Sequence, residues 1–248
     1  MDQIAAGVDG IVVAGTTGEG HLMNWDENLT LIEYCAEKYG DKLCIIGNTG
    51  SNSTKECLRA TNEGFSAGMH GALQINPYYG KTSAKGIKFH LDAAMEFGPA
   101  VIYNVSSRTA QDISPEIVEH LAKNPNFAGM KECGGHERIK QYADQGILCW
   151  SGNDDECHDS KWNYGGHGVI SVTSNVLPGV MRRLMDTKDD ELNAKVMPFM
   201  NWLFMEPNPI GLNTVSAMTG AAQPVFRAPY MPYDLEKREA VIDLLSGF

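Results

Sequence analysis

Short, uninterrupted apolar runs recur along this chain at a spacing that few folds accommodate. They occupy residues 10–14, 43–47, 72–75, 100–103, 127–131, 147–151 and 169–172, with successive starts 33, 29, 28, 27, 20 and 22 residues apart. The runs are continuous rather than alternating, as strands covered on both faces require. The spacers read as helices. Asn24 with Glu27 makes a capping-box pattern ahead of Leu29, Ile32 and Ala36, and Ser53 with Glu56 repeats it ahead of Leu58 and Thr61. Ser114-Pro115 opens a third helix carrying Ile117, Val118 and Leu121, with proline at its first position.

Seven β-α units predict a parallel α/β protein, either an open doubly wound sheet or a closed (β/α)₈ TIM barrel. No G-x-G-x-x-G pattern follows the first strand, which weakens a dinucleotide-binding sheet. The first residues, Met1 to Gly7, look like the end of a helix already under way. The expectation is therefore a (β/α)₈ barrel whose first strand is missing from this chain, over residues 1–179. A methionine-rich C-terminal helical region follows over residues 180–248.

Composition narrows the partners. At 248 residues and 43% hydrophobic, the chain can bury a full core. The net charge is −11, with no basic stripe or tail, which argues against nucleic acid. The six cysteines show no C-x-x-C spacing and read as buried, reduced thiols of a soluble intracellular protein rather than a disulfide framework. No apolar stretch approaches bilayer length, so no membrane partner is expected, and the start resembles neither a signal nor a transit peptide.

In a β/α barrel the chemistry lies at the C-terminal ends of the strands. There the chain places Gly15-Thr16-Thr17-Gly18-Glu19, Asn76-Pro77-Tyr78-Tyr79, Tyr103-Asn104-Val105 with Arg108, Lys131 and Ser151-Gly152-Asn153-Asp154-Asp155. A lysine at the mouth of a buried strand is the most informative of these. Burial disfavours the ammonium form and yields a nucleophilic amine near neutral pH, as Schiff-base chemistry needs. Backbone N–H groups of the Gly-Thr-Thr-Gly turn suit a carboxylate, and Arg108 suits a second one. Each has a plainer reading: a surface lysine, an ordinary turn, a packed strand tyrosine at Tyr103, a solvated arginine. Asp154, Asp155, Glu156, His158 and Asp159 resemble a metal cluster, but carboxylates adjacent in sequence rarely share one ion, and no metal or cofactor is expected.

Taken together and in order, Gly15-Thr16-Thr17-Gly18-Glu19, Asn76-Pro77-Tyr78-Tyr79, Tyr103-Asn104-Val105, Ser107-Arg108-Thr109, Gly129-Met130-Lys131-Glu132 and Gly168-Val169-Ile170-Ser171-Val172-Thr173 resemble the dihydrodipicolinate synthase family. That family belongs to the pyruvate-dependent class I aldolase and N-acetylneuraminate lyase superfamily. Residues 151–159 and 206–214 look most like its plant and green-algal branch. The chain departs from the family pattern at Ala110, where glycine is usual, and at Ser106, where proline is usual. It also lacks the family's opening strand and Thr-Pro segment, and the acidic tail of plant members.

The resemblance implies condensation of pyruvate with aspartate-4-semialdehyde, the first committed step of lysine biosynthesis through diaminopimelate. Lys131 would carry the Schiff base, with Tyr103, Thr17 and Tyr79 as a proton relay and Tyr79 reaching into a neighbouring subunit. Thr16 and Thr17 would hold the pyruvate carboxylate, Ile170 would lie beside it through its backbone, and Arg108 would hold the semialdehyde. Lysine would inhibit at a separate site formed by Gly20, His21, Trp25, Asn28, Asn52, Glu56 and Tyr78. A homo-oligomer built as a dimer of dimers is implied, in the chloroplast if the source is a plant or alga and in the cytoplasm otherwise. The competing readings are a sugar-acid lyase of the same superfamily and a truncated, non-catalytic fragment.

Overall fold

Runs that are apolar on both faces need cover on both faces, and the fold supplies it. The structure, a computed structural model, describes residues 2–248. It begins with α1 (Asp2–Ala5), β1 (Gly10–Val13), α2 (Trp25–Tyr39), β2 (Cys44–Asn48), α3 (Thr54–Ser66) and β3 (Gly71–Ile75). Next come α4 (Ala84–Met95), β4 (Ala100–Asn104), α5 (Ser106–Thr109), α6 (Pro115–Leu121), β5 (Phe127–Glu132), α7 (His136–Asp144) and β6 (Cys149–Ser151). The chain closes with α8 (Cys157–Trp162), β7 (Gly168–Val169), α9 (Pro178–Asp186), α10 (Asp190–Leu203), α11 (Ile210–Met218) and α12 (Leu235–Leu245). The expected N-terminal helix is present at Asp2–Ala5, while Met1 lies outside the described residues.

The seven strands form one sheet in the order β1-β2-β3-β4-β5-β6-β7, every neighbouring pair parallel. Among the described residues β1 and β7 are its edges. Parallel neighbours require a crossover, which the intervening helices provide. Side chains alternate along each strand. Ile45, Ala72, Ile102, Met130 and Cys149 face outward against Ile32, Leu91, Ile117, Leu121, Ile139 and Tyr142 of the helices. Leu73, Val101 and Tyr103 face inward with Val12, Ile46 and Trp150. Fully burying one such aliphatic side chain contributes about 1.5–3 kcal/mol, so both faces hold the sheet. A further core joins Phe199, Met200, Trp202 and Leu203 of α10 to Leu212 and Val215 of α11, Val241 of α12 and Tyr233, and takes in Cys157 and Val172.

Helix starts follow their caps. At α2 the box is complete: Asn24 Oδ1 accepts from Glu27 N at 2.9 Å and Glu27 Oε2 accepts from Asn24 N at 2.9 Å. At α3 only half of the expected device forms. Ser53 Oγ accepts from Glu56 N at 3.5 Å, but the Glu56 carboxylate has turned to Arg59 at 2.8 Å. Pro115 opens α6 as expected.

Two other expectations need correction. The last strand stops at Val169 rather than continuing to Val172. The Asp154 carboxylate takes the N–H groups of Val172 and Thr173, at 3.0 and 2.6 Å, and winds that segment into a 3₁₀ turn over Thr173–Asn175. The six cysteines are free thiols, but Cys44 is exposed and Cys35 and Cys133 are only partly buried.

Beneath the ends of β4 and β5 lies a buried polar cluster. Asn104 Nδ2 donates to Asp112 at 2.8 Å and to Glu132 at 2.9 Å, and Asn104 Oδ1 accepts from Ile113 N at 3.0 Å. Gly134 N donates to Glu132 at 2.6 Å. Arg138 closes the cluster on Asp112, Ile113 O and Tyr142 at 3.0, 3.0 and 3.2 Å. Burial pushes the Glu132 carboxyl up to about 7, against the lowering effect of its bonds from Asn104 and Gly134.

Between the ordinary value near 4.5 and about 7, the folded chain therefore keeps a proton on Glu132 that the unfolded chain has released. This contribution to stability is fully present below the lower value and is lost as pH rises to the higher one. Glu132→Gln removes the titration. We expect the stability of the variant relative to wild type to rise between about pH 5 and pH 7 in urea unfolding. A constant difference would show that Glu132 titrates normally. A second prediction concerns Ala110, which sits at φ 57° as the C-cap of α5. Ala110→Gly removes a left-handed penalty only partly offset by the freedom glycine gains when unfolded, for a net stabilisation of about 0.5–1 kcal/mol. An unchanged or lower denaturant midpoint would contradict this.

Candidate active site

The alternation that sends Met130 outward sends Lys131 inward. It lies in register with Tyr103 on β4 and Trp150 on β6. Its Nζ stands 4.3 Å from the centroid of the Tyr103 ring. Enclosure by protein pushes the Lys131 amine below its ordinary value; Cys133 and Asp154 act the other way, and Arg108 acts with burial. Tyr103 is 9% exposed, and burial pushes its phenol up. The nearby Cys133 thiol acts in the same direction, and among the described residues the phenol makes no hydrogen bond to Thr17. Cys133 is thus a functional neighbour that the sequence did not single out. Gly152 lacks a side chain for a reason visible here. A Cβ at that position would collide with Cys133 Sγ and lie 3.1 Å from Lys131 Cε.

The turn after β1 is folded on itself, with Glu19 N bonded to Thr16 O at 3.0 Å and Gly20 N to Gly15 O at 3.1 Å. Among the described residues the N–H groups of Thr16 and Thr17 make no hydrogen bond, which leaves two donors free on the same mouth. Oriented N–H pairs of this kind bind anions. Arg108 is exposed at the rim, held by Nη2 to Asn208 O at 3.3 Å. Asn208 Nδ2 donates to Thr17 Oγ1 at 2.9 Å. Ile170 N pairs with Ser151 O at 3.0 Å, placing the Ile170 backbone at the end of β7.

Thr16, Thr17, Tyr103, Arg108, Lys131 and Ile170 line one cavity of about 1340 Å³, which continues down the inner face of the sheet past Ile46. Tyr79 is outside it, 94% exposed and held at φ 68°. A bulky residue in that conformation is a strained outlier. Asp154 is 1% exposed, and its carboxylate is filled by Val172 N, Thr173 N and Thr173 Oγ1. The rest of that acidic run disperses: Glu156 meets Asn153 at 2.9 Å, Asp159 meets His136 at 3.4 Å, and His158 meets Asp190 at 3.8 Å.

Of the residues assigned to a separate lysine site, Gly20, His21, Trp25, Asn28, Glu56 and Tyr78 line a side of the same cavity, and Asn52 does not. Several have partners within the chain. His21 meets the Tyr230 hydroxyl at 2.8 Å, Asn28 donates to Gly20 O at 3.1 Å, and Trp25 Nε1 donates to Glu63. Arg59 bridges Glu56 and Glu63 and stands 5.8 Å from the Trp25 ring.

A model of the dihydrodipicolinate synthetase family matches residues 2–247. The chain is 57% identical over 246 residues to 4-hydroxy-tetrahydrodipicolinate synthase 2, chloroplastic, of Triticum aestivum, covering 99% of this chain and 65% of that protein. To the chloroplastic synthase 1 of Arabidopsis thaliana it is 54% identical over 245 residues, covering 98% and 67%. The chain thus spans about two thirds of the length of these curated relatives. Among solved structures, dihydrodipicolinate synthase from Acinetobacter baumannii complexed with pyruvate superimposes with a TM-score of 0.93 at 31% identity, covering 98% of this chain and 88% of the other. The Cyanidioschyzon merolae enzyme with lysine bound gives 0.92 at 28%, covering 99% and 88%. Sequence identity above one half across nearly the whole chain agrees with the motifs and the sheet, and the chain belongs to the dihydrodipicolinate synthetase family.

Proposed function

We propose that this protein is a Schiff-base synthase that condenses pyruvate with aspartate-4-semialdehyde to 4-hydroxy-tetrahydrodipicolinate and is inhibited by lysine. The observation that carries the reading is the half-buried Lys131, its amine lowered in pKa and set 4.3 Å from the Tyr103 ring in the cavity. The neutral amine attacks the pyruvate ketone, and with a proton from the Tyr103 phenol the carbinolamine hydroxyl leaves as water, giving a protonated imine. That nitrogen draws electrons from the methyl carbon, which loses a proton and becomes an enamine. The enamine carbon adds to the semialdehyde aldehyde, and the product's own amine then displaces Lys131 as the ring closes.

The free N–H groups of Thr16 and Thr17 suit the pyruvate carboxylate, with the Ile170 backbone beside it, and Arg108 at the rim suits the semialdehyde carboxylate. A polyol substrate would leave that arginine without an anionic partner. Tyr103 and Thr17 supply protons on one side, and Tyr79, exposed and projecting away from its own cavity, supplies the relay of an adjacent subunit in a dimer of dimers. The fold belongs with this reading as a (β/α)₈ barrel short of its first strand over residues 1–179, followed by a helical region over 180–248. Chloroplastic relatives support a role in lysine biosynthesis, in the chloroplast if the source is a plant or alga.

Borohydride reduction in the presence of pyruvate should add a stable mass to the peptide containing Lys131 and abolish activity, and Lys131→Ala should take up nothing. Label on another peptide, or none on folded wild type, would defeat the assignment. For lysine, the Glu56 carboxylate is the anchor of the ammonium, which has to displace Arg59 from it. Wild-type turnover should fall in millimolar lysine and that of Glu56→Ala should not. Equal inhibition of the two would exclude this site.

A further inference from the structure

Asn208 lies 191 positions from Thr17 in sequence, yet the two are hydrogen-bonded at 2.9 Å. It is 6% exposed, on the loop between α10 and α11. That loop is firmly held: Tyr233 accepts from Glu206 N at 3.2 Å, and Lys237 pairs with Glu206. Asn208 offers its two ends to two site residues. The side-chain amide donates to the Thr17 hydroxyl, and the backbone carbonyl accepts from Arg108.

We infer that Asn208 is a positioning residue that sets the direction in which Thr17 passes its proton. A hydroxyl has one hydrogen to give and two lone pairs to fill. Asn208 Nδ2 fills one lone pair. Among the described residues the Thr17 hydroxyl donates to no side chain, so its hydrogen and one lone pair are left for the two phenols of the relay. A relay hydroxyl needs that complement: it accepts from one phenol while giving to the other. The amide also holds the hydroxyl in one rotamer, and accepting two hydrogen bonds makes it a better donor. Asn208 Oδ1 is buried without a partner, so the amide gains nothing on that side to compete with its bond to Thr17. This inference rests on the relay role proposed for Thr17.

The test is a cycle of four chains: wild type, Asn208→Ala, Thr17→Val and the double variant. Asn208→Ala should lower kcat by about tenfold or more, within the range general acid/base groups command. Borohydride trapping at Lys131 should persist in it. The Arg108 contact goes to backbone, so KM for the semialdehyde should stay near wild type. In the Thr17→Val background, where no hydroxyl remains to orient, Asn208→Ala should cost nothing further. Asn208→Asp is the second probe, because a carboxylate accepts from Thr17 and reverses its hydroxyl. Its kcat should fall at least as far as that of Asn208→Ala, and the ratio of the two should rise as pH falls and the carboxyl gains a proton to donate. A full additional loss in the Thr17→Val background, wild-type kcat in Asn208→Ala, or wild-type kcat in Asn208→Asp would each overturn the inference. Wild type that neither traps pyruvate nor turns over would defeat the underlying reading, and the inference with it. A defect confined to the Asn208 variants concerns the inference alone.

Discussion

The inner face of the sheet is lined by apolar side chains and is a costly place for a charge, yet Lys131 stands there, facing the cavity. Removing an ammonium from water is costly, and that cost lowers the pKa of the Lys131 amine. Among the described residues Lys131 has no carboxylate within ion-pair distance; its near neighbours are the Tyr103 ring and the Cys133 thiol. Much of the surrounding architecture serves that placement. Gly152 leaves space for the lysine stem, Trp150 walls it on the β6 side, and the Glu132 cluster braces the end of the strand that carries it. Asp154, the nearest buried carboxylate in electrostatic terms, is kept occupied by the turn after β7.

The strands were legible because double burial writes itself as uninterrupted apolar sequence, and six of the seven runs became strands within a residue or two of their expected ends. The seventh failed for a local reason. Ile170, Ser171 and Val172 look like strand, but a carboxylate eighteen positions earlier claims the N–H groups a ladder would have used. Apolar pattern carries no trace of that competition. The mouth residues were legible because a β/α architecture sends chemistry to strand ends, so reading those few positions was enough to select Lys131, Tyr103, Thr16, Thr17 and Arg108. Cys133 escaped because a lone thiol reads as packing, and it comes beside Tyr103 only because it follows directly on the end of β5. The side of the cavity near Trp25 was legible as residues but not as contacts, since Arg59 at Glu56 and Tyr230 at His21 depend on rotamers and on a distant segment.

Asn208 was beyond reach from sequence for a topological reason. It lies on the loop between α10 and α11, far from Thr17 in sequence, and nothing local to Thr17 announces it. The loop that bears it is moored to Tyr233, and Tyr233 in turn is anchored to the carbonyls of Trp202 and Leu203 at the end of α10. Small cooperative units of a protein open before the whole unfolds. In this molecule the terminal helices share a core, and the mooring links that core to the site. Parting α10 from α12 would cost Tyr233 its contacts to Trp202 and Leu203, and through Glu206 would loosen the loop that holds Asn208 against Thr17. On the proposed mechanism, an opening confined to these helices would disturb proton transfer at Thr17 without touching the strand that carries Lys131.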